Sequence, residues 1–280
     1  MVPSSHHTSI HTSNDQRQNP IRLVQGSHQD TLFFFHASDG DPSVYLPLAK
    51  ALDRQAFGLH AGNPGSITSL SALAESYTAA IRRQQPQGPY TLVGWSYGAF
   101  TAASAAVQLK HAGQTVRLIC LDPVCREDFR FADRTALLHL LAGGPVDLSL
   151  SERLADMNET EQMQHFIGQA QAAGMIPSTY SDQQAQVWLE RTEHLLRLLA
   201  DHPQPAAVDI PCLQIHAVNR PEHWHSAGHD WSSWHPYSEH RQLHTTHWGL
   251  VTDPHWAQQC AREISQWLFA NHLSSEENEV

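Results

Sequence analysis

Short apolar segments alternate along this chain with segments of helical spacing. Residues 32–35 read LFFF and residues 115–121 read TVRLICL, and both have the length and character of strands buried on two faces. Between them, residues 66–84 carry apolar side chains at the spacing of one helical face and stop at a cluster of proline and glycine. Because strands that alternate with helices form a mostly parallel sheet covered by helices on both faces, the pattern predicts an α/β fold.

One block, residues 126–202, contains helical signals but no convincing strand. It follows the strand at 115–121 and precedes another apolar segment at 212–218, so it is inserted between two strands of the sheet. Ligands of open α/β sheets bind at the carboxyl ends of the strands. We therefore predict a helical lid over that edge, with a separate small helical domain as the alternative.

The remaining elements belong to a single domain predicted at residues 26–272. Residues 1–25 are polar and are predicted to be a flexible leader, and residues 273–280 are predicted to be a frayed acidic tail. The other strands of the domain are predicted at residues 57–60, 90–93 and 240–243, and its other helices at residues 44–52, 100–111 and 254–272.

The composition excludes several classes of function. The formal net charge is −11, whereas nucleic-acid binding needs a basic surface. No apolar run reaches the length of a membrane span, and the first residues lack the basic and apolar regions of a signal peptide. We therefore expect a cytoplasmic protein that binds neither nucleic acid nor membrane. Its four cysteines are predicted to be buried, reduced thiols.

The 21 histidines raise the question of a metal site. Many fall between residues 222 and 247, but their spacing matches no ligand pattern, and structural zinc needs a closed ligand set. We therefore predict no metal and interpret them as solvated loop residues. The side chains considered are Glu222, His223, His225, His229, Asp230, His235, His240 and His244.

Residues 90–99, YTLVGWSYGA, place Ser96 between two glycines, behind a predicted strand and ahead of a predicted helix. A nucleophilic serine needs this context, because a sharp turn lifts its hydroxyl above the sheet. Gly94 and Gly98 have no side chains to collide with the backbone of such a turn. The same five residues also occur in ordinary glycine-rich turns, so the assignment depends on finding an acid and a base elsewhere.

Asp122 is the predicted acid because it directly follows the strand after the serine. A carboxylate there can orient a histidine. The rival is Glu222, in the loop after the strand at 212–218, and the non-catalytic interpretation is a turn aspartate before a proline.

His247 is the predicted base because it lies in a loop between the last strand and the last helix. His244 adjoins that strand, and His255 lies within the start of the helix. The order Ser96, Asp122, His247 is the order of the triad in α/β-hydrolases.

The oxyanion of an acyl-transfer reaction is held by backbone N–H groups, one after the nucleophile and one in a loop after an early strand. Here these are predicted to be Tyr97 and, within the loop at 36–40, Ser38 or Ala37. An ordinary glycine-containing turn is the alternative interpretation of this loop.

Four segments in this order resemble the thioesterase domains that end non-ribosomal peptide synthetases and polyketide synthases. They are residues 19–23 (NPIRL), 32–40 (LFFFHASDG), 45–49 (YLPLA) and 90–99 (YTLVGWSYGA). The resemblance covers residues 19–272 and implies an α/β-hydrolase fold with a helical lid. The family often has HPAGG where this chain has HASDG at residues 36–40.

The resemblance also implies an activity. An acyl chain arrives as a thioester on the phosphopantetheine arm of a carrier protein, passes to Ser96, and leaves by hydrolysis or macrocyclisation. No cofactor of the domain itself is implied. In this family the acid commonly follows the strand after the serine, as Asp122 does, whereas stand-alone editing thioesterases more often carry it one strand later. The alternatives are such an editing enzyme, an esterase of small esters, and a non-catalytic binding protein of the same fold.

Overall fold

The computed structural model describes residues 19–62, 67–124, 154, 156–172, 176, 178–202, 209–220, 231 and 238–276. The strands in these residues are β1 Ile21–Val24, β2 His28–Phe35, β3 Arg54–Leu59, β4 Tyr90–Trp95, β5 Val116–Leu121, β6 Cys212–Asn219 and β7 Glu239–Thr246. The helices are a 3-10 helix at Pro42–Tyr45, then α1 Leu46–Leu52, α2 Leu70–Gln84, α3 Tyr97–His111, α4 Glu159–Ala172, α5 Asp182–Ala200, α6 Gly249–Thr252 and α7 Pro254–Glu276.

Within these residues the seven strands form one sheet in the order β1-β3-β2-β4-β5-β6-β7. Every neighbouring pair is parallel except β1 and β3. Each of the six strands predicted from the sequence is present, and the predicted α/β class is confirmed. In a parallel sheet the carboxyl ends of the strands meet at one edge, so the residues that follow β4, β5 and β6 lie close together.

Two apolar cores cover the two faces of this sheet. Along β2, Phe33 and Phe35 point to the core that α2, α3, α4 and α5 share, whereas Leu32 and Phe34 point to the core beneath α1 and α7. All four side chains are fully buried. Side chains alternate between the faces of a strand, so a continuous apolar run is what a strand covered on both faces requires.

The first strand corrects the predicted leader. Residues 1–25 are predicted above to be flexible, but Ile21–Val24 pairs antiparallel with β3 at the edge of the sheet. Leu23 and Val24 pack against the core, and the guanidinium of Arg22 lies 5.5 Å from the ring centre of Phe57. A four-residue edge strand is too short to show a period in the sequence. Residues 1–18 lie outside the described residues.

The last helix corrects the predicted tail in the same way. It continues to Glu276, four residues past the predicted boundary at residue 272. Residues 277–280 lie outside the described residues.

Two helices of the predicted lid, α4 and α5, occupy part of the block at residues 126–202. The rings of Phe166 and Trp188 stack between them at 6.0 Å. From α5, Arg191 Nη1 donates to Asp39 O at 3.4 Å, and His194 Nε2 lies 2.9 Å from Ile67 O. Because these contacts join α5 to the loop after β2 and to the start of the α2 region, they favour a lid over a separate domain. Residues 126–153 lie outside the described residues.

A buried tyrosine joins the ends of the two central strands. Tyr45 Oη donates to Phe35 O at 2.6 Å and accepts a hydrogen bond from Trp95 N at 2.7 Å. Phe35 is the last residue of β2 and Trp95 the last of β4, so the hydroxyl completes the pairing where the ladder stops. Tyr45 is fully buried, so its hydroxyl takes the place of water as the hydrogen-bond partner of these two backbone groups.

The first turn of α3 packs directly on the end of β2. A Cβ added to Gly98 would lie 2.7 Å from His36 O and would also collide with Phe35 O. Only a glycine at this position lets α3 approach the loop at residues 36–40 so closely. The glycine therefore brings the residue after Ser96 and the loop after β2 to the same place.

Removing the Tyr45 hydroxyl tests the link between the strands. We expect Tyr45→Phe to lower the free energy of unfolding by about 2–3 kcal/mol, because two buried backbone groups lose their partner. Tyr90→Phe is the matched control, since its hydroxyl donates to Gln85 O and interacts with Arg82 but joins no strand ends, and about 1 kcal/mol is expected. Urea unfolding followed by tryptophan fluorescence measures both. Equal losses in the two variants would contradict the role given to Tyr45.

A second substitution tests the close approach of α3. Gly98→Ala is expected to lower the free energy of unfolding by about 1–3 kcal/mol, because the new methyl group forces α3 away from the backbone of β2. Gly168→Ala in α4 is the control: its Cβ would meet nothing within 4 Å, so it should be neutral or stabilising by up to about 1 kcal/mol. A harmless Gly98→Ala, measured in the same urea titration, would show that the contact is not tight.

Candidate active site

Ser96 occupies a strained turn between β4 and α3. Its φ is 56° and its ψ −122°, a combination that residues with a side chain rarely adopt and that costs about 1–3 kcal/mol. Its N–H donates to Leu121 O, at the end of β5, over 3.0 Å. A Cβ added to Gly94 would lie 2.6 Å from Ala99 Cα, so the turn also needs glycine at that position. The glycines predicted to permit a sharp turn therefore do so.

Asp122 and His247, distant in sequence, are in direct contact. His247 Nδ1 lies 2.6 Å from Asp122 Oδ2, and both side chains are buried. Asp122 directly follows β5, with φ 41°, and its N–H donates to Ile215 O of β6 at 2.6 Å. His247 directly follows β7. The strand ends thus bring the predicted acid and the predicted base together at the edge of the sheet where Ser96 lies.

The environment of this pair determines its protonation. Burial alone would raise the pKa of Asp122, but the hydrogen bond and charge of His247, together with Arg220, outweigh it and lower that pKa. Burial lowers the pKa of His247, and the opposing effect of Asp122 does not cancel it. An ionised carboxylate only accepts hydrogen bonds, so the proton of neutral His247 is on Nδ1 and the lone pair is on Nε2.

Two tryptophans hold His247 beside the serine turn. Trp95, the residue before Ser96, donates from Nε1 to His247 O at 3.1 Å, and its ring centre lies 4.6 Å from that of His247. Trp248 packs against Trp95 at 4.8 Å with an edge-to-face geometry and is 43% exposed. The indole of Trp95 therefore sets the position of the histidine relative to the serine.

Arg220, which was not among the residues predicted from the sequence, also contacts Asp122. Its Nε donates to Asp122 Oδ1 at 2.7 Å, and its Nη2 lies 2.5 Å from the same oxygen and 2.8 Å from Pro123 O. The signal was its place directly after β6, at the same edge as Asp122. The residue of that loop named as a rival acid was Glu222, which lies outside the described residues.

The predicted oxyanion donors lie on two segments that pack together. Tyr97 begins α3, and its ring stacks on that of His36 at 5.9 Å. Ala37 is buried and Ser38 half-buried, in a turn closed by a 3.1 Å hydrogen bond from Gly40 N to Ala37 O. His36 Nδ1 lies 2.5 Å from Ala37 O, and burial lowers the pKa of His36 to about 4, so this side chain is neutral. Whether these N–H groups hold an oxyanion stays a prediction.

The two rival histidines lie away from this contact. His244 is exposed on β7. His255 is exposed at the start of α7, where its N–H donates to Asp253 Oδ1 at 2.8 Å. Neither has a hydrogen bond to Asp122 among the contacts of the described residues.

The structure describes little of the histidine-rich segment. Trp231 within it is fully buried, donates from Nε1 to Val124 O at 3.1 Å and packs on Phe100 at 4.9 Å. The described residues contain no group of three or more histidine, cysteine or acidic side chains that could hold a metal. Within this segment, the histidines that lie outside the described residues are His223, His225, His229 and His235.

The predictions about the cysteines and about membrane spans can also be compared with the described residues. Cys120, Cys212 and Cys260 are buried and not in disulfides, whereas Cys125 lies outside the described residues. Among the helices that the structure describes, none has the length and apolar character needed to cross a membrane.

Comparison with known proteins identifies the family. The family model described as Thioesterase domain matches residues 30–267. The nonribosomal peptide synthetase atrA of Aspergillus terreus (strain NIH 2624 / FGSC A1156) is 34% identical over 131 residues, which are 43% of this chain and 14% of that protein. The inactive atromentin synthetase invA4 of Paxillus involutus is 28% identical over 195 residues, 66% of this chain and 19% of that protein.

A solved structure has the same fold. The NocB thioesterase domain, in a covalent complex with a fluorophosphonate nocardicin G analog, superposes with a TM-score of 0.64 at 20% identity, over 86% of this chain and 95% of that one. The chain itself spans less than a fifth of the length of the curated relatives named above. From the match over most of its length, we conclude that this chain belongs to the thioesterase domain family, with an α/β-hydrolase fold.

Proposed function

We propose that this domain releases an acyl, peptidyl or polyketide chain from the phosphopantetheine arm of a carrier protein, through an ester on Ser96. The observation that carries the proposal is the 2.6 Å contact between His247 and Asp122, in a thioesterase-family chain whose serine occupies the strained turn beside it. Family membership implies a hydrolase. The synthetases among its relatives favour a carrier-bound thioester as the substrate.

The first half of the proposed reaction transfers the chain to the protein. Ser96 Oγ attacks the thioester carbonyl while His247 Nε2 takes its proton. The carbon–sulfur bond then breaks, and the imidazolium returns the proton to the leaving pantetheine thiol. Asp122 accepts the hydrogen bond from Nδ1 throughout and stabilises the imidazolium without itself taking the proton.

The second half removes the chain from Ser96. Water, or a hydroxyl or amine within the acyl chain, attacks the ester while His247 takes its proton. The carbon–oxygen bond to Ser96 breaks and the serine recovers a proton from the imidazolium. Water gives a linear acid, and an internal nucleophile gives a ring. The lid controls which nucleophile enters by limiting the access of water.

Backbone donors stabilise the negative oxygen of both tetrahedral intermediates in this proposal. The Tyr97 N–H supplies one, and the N–H of Ser38 or Ala37 the other. The packing of Gly98 on the backbone of β2 supports this assignment, because it brings these two segments side by side. The helix start at Tyr97 also favours negative charge there.

Two further candidates use the same serine. An esterase of small esters, or a stand-alone editing thioesterase, would form the same ester on Ser96 but differ in the preferred acyl donor. A non-catalytic protein would form no ester at all. One relative is named inactive, so a direct test of catalysis has particular value.

Covalent labelling tests the nucleophile. A fluorophosphonate should label Ser96, and Ser96→Ala should lose both the label and the turnover of an acyl-pantetheine thioester. Asp122→Asn should lower kcat by about 10³–10⁴-fold, because the amide favours the wrong tautomer of His247. Ser76→Ala, whose hydroxyl bonds only within α2, is the matched control. Label on another residue, or full activity of Ser96→Ala, would refute the triad.

The acyl donor and the product decide between the candidate enzymes. We expect a pantetheine thioester to react much faster than the matching oxyester, since the thiol is the better leaving group and the arm contributes binding. Mass spectrometry of the product shows either the linear acid or the ring that has lost one water. A preference for the oxyester would favour the esterase.

The pH dependence of the reaction follows from the protonation of His247. The base must be neutral, and burial holds its pKa below its ordinary value of 6.5, so kcat/KM should rise with pH and level off below neutrality. Measuring kcat/KM for the thioester from pH 4.5 to 8.5 locates this limb. An acidic limb centred above pH 7 would contradict the assignment of a buried, neutral base.

A further inference from the structure

A single arginine joins the acid of the proposed triad to the neighbouring strand. β5 and β6 are parallel neighbours, so Asp122 after β5 and Arg220 after β6 lie at the same edge of the sheet. The guanidinium contacts both the carboxylate and the carbonyl of the next residue, Pro123. Its side chain is only 15% exposed, and Asp122 is fully buried. This is a partly desolvated ion pair, which is stronger than one at the surface.

We propose that Arg220 is a positioning residue for the Ser96 reaction: it fixes the carboxylate of Asp122 and keeps it ionised, and so sets the pH range in which His247 acts as a base. This inference rests on the proposed function, and it goes beyond it by assigning a role to a residue outside the triad.

The two carboxylate oxygens have separate partners. Oδ1 accepts from Ala217 N at 3.0 Å and from the guanidinium of Arg220, whereas Oδ2 faces His247 Nδ1. Rotation of the carboxylate would break all of these contacts at once. Because the guanidinium also bonds to Pro123 O, it holds the backbone next to Asp122, whose φ of 41° a non-glycine residue adopts reluctantly. Arg220 therefore restrains both the carboxylate and the backbone of Asp122.

The negative charge of Asp122 gives a second reason to assign this role to Arg220. A buried carboxylate has lost its hydration, and a cation in contact with it helps to keep it ionised. A protonated Asp122 would no longer be a full negative charge for the imidazolium that forms in the reaction. Arg220 balances that charge before the proton moves. Its own positive charge also opposes protonation of His247, and this effect is what an experiment can measure.

His216 is a further titratable side chain of the described residues near this group. His216 on β6 is half-buried near Arg220 and Asp122, and its ring stacks on that of His240 at 5.5 Å. Burial, with the charge of Arg220, lowers the pKa of His216 to about 4. His216 is therefore neutral above about pH 4 in the wild-type protein. Because Arg220 also acts on His216, the Nδ1 proton of His247 is followed directly to assign a change on replacing Arg220.

The test measures the pH dependence of kcat/KM for an acyl-pantetheine thioester, normalised to the active sites that a fluorophosphonate titrates. Arg220→Gln should move the acidic limb upward by about 0.5–1 pH unit, because His247 gains protons more easily without the cation. Arg220→Lys keeps the positive charge but loses the planar guanidinium group. The acidic limb of kcat/KM should therefore stay at its wild-type pH, while kcat per active site falls several-fold. Arg262→Gln, on the exposed side of α7, makes the same change of net charge and should alter neither.

A second readout does not depend on turnover. The proton between His247 Nδ1 and Asp122 is expected to give a downfield ¹H resonance, identified by its loss in His247→Gln. Its titration in Arg220→Gln should shift upward with the kinetic limb. An unchanged titration in Arg220→Gln, or Arg220→Lys with wild-type kcat per active site, would overturn the inference. If Arg220→Gln does not fold, the lysine variant alone decides. A wild-type protein inactive on the thioester would refute the proposed function instead, and the resonance would still test Arg220.

Discussion

The buried carboxylate of Asp122 is the group on which the site depends. It receives hydrogen bonds from His247 after β7, from Ala217 in β6 and from Arg220 after β6, and its own backbone extends β5. A buried carboxylate without access to water needs hydrogen-bond donors at both of its oxygens. These contacts hold the ends of β5, β6 and β7 in one arrangement. The same contacts select the tautomer of His247 with its proton on Nδ1, which the proposed function requires. The contacts that join the strand ends are thus the same contacts that hold the proposed base.

A second constraint acts on the serine. Its backbone conformation is unfavourable, and it persists because packing around it leaves no alternative. Tyr45 joins the ends of β2 and β4, Gly98 lets α3 lie against β2, and the Ser96 N–H is bound at the end of β5. The energy for the strain comes from the apolar cores on the two faces of the sheet. A rigid sheet of this kind holds reacting groups in place before a substrate arrives.

The described part of the predicted lid contacts this region through α5. Arg191 of α5 reaches the carbonyl of Asp39, in the loop whose N–H groups are proposed to hold the oxyanion. In the proposed function the substrate side of the site is bordered by the predicted lid and by the exposed indole of Trp248, and the opposite side by the sheet. This division matches the proposed chemistry, in which the triad is constant and the lid selects the nucleophile that completes the reaction.

Local steric and periodic patterns in the sequence determined the α/β class, six of the seven strands of the described residues, the turn at Ser96 and the order of the three residues of the proposed triad. These follow from short-range physics: glycines where a side chain would collide, and apolar runs where a strand is buried on both faces. Tertiary structure alone decided the contact of Asp122 with His247, the pairing of β1, the bridging by Tyr45 and the approach of Arg220. Those contacts join residues up to 125 positions apart, and an arginine or tyrosine carries no local signal of the distant atom it will meet.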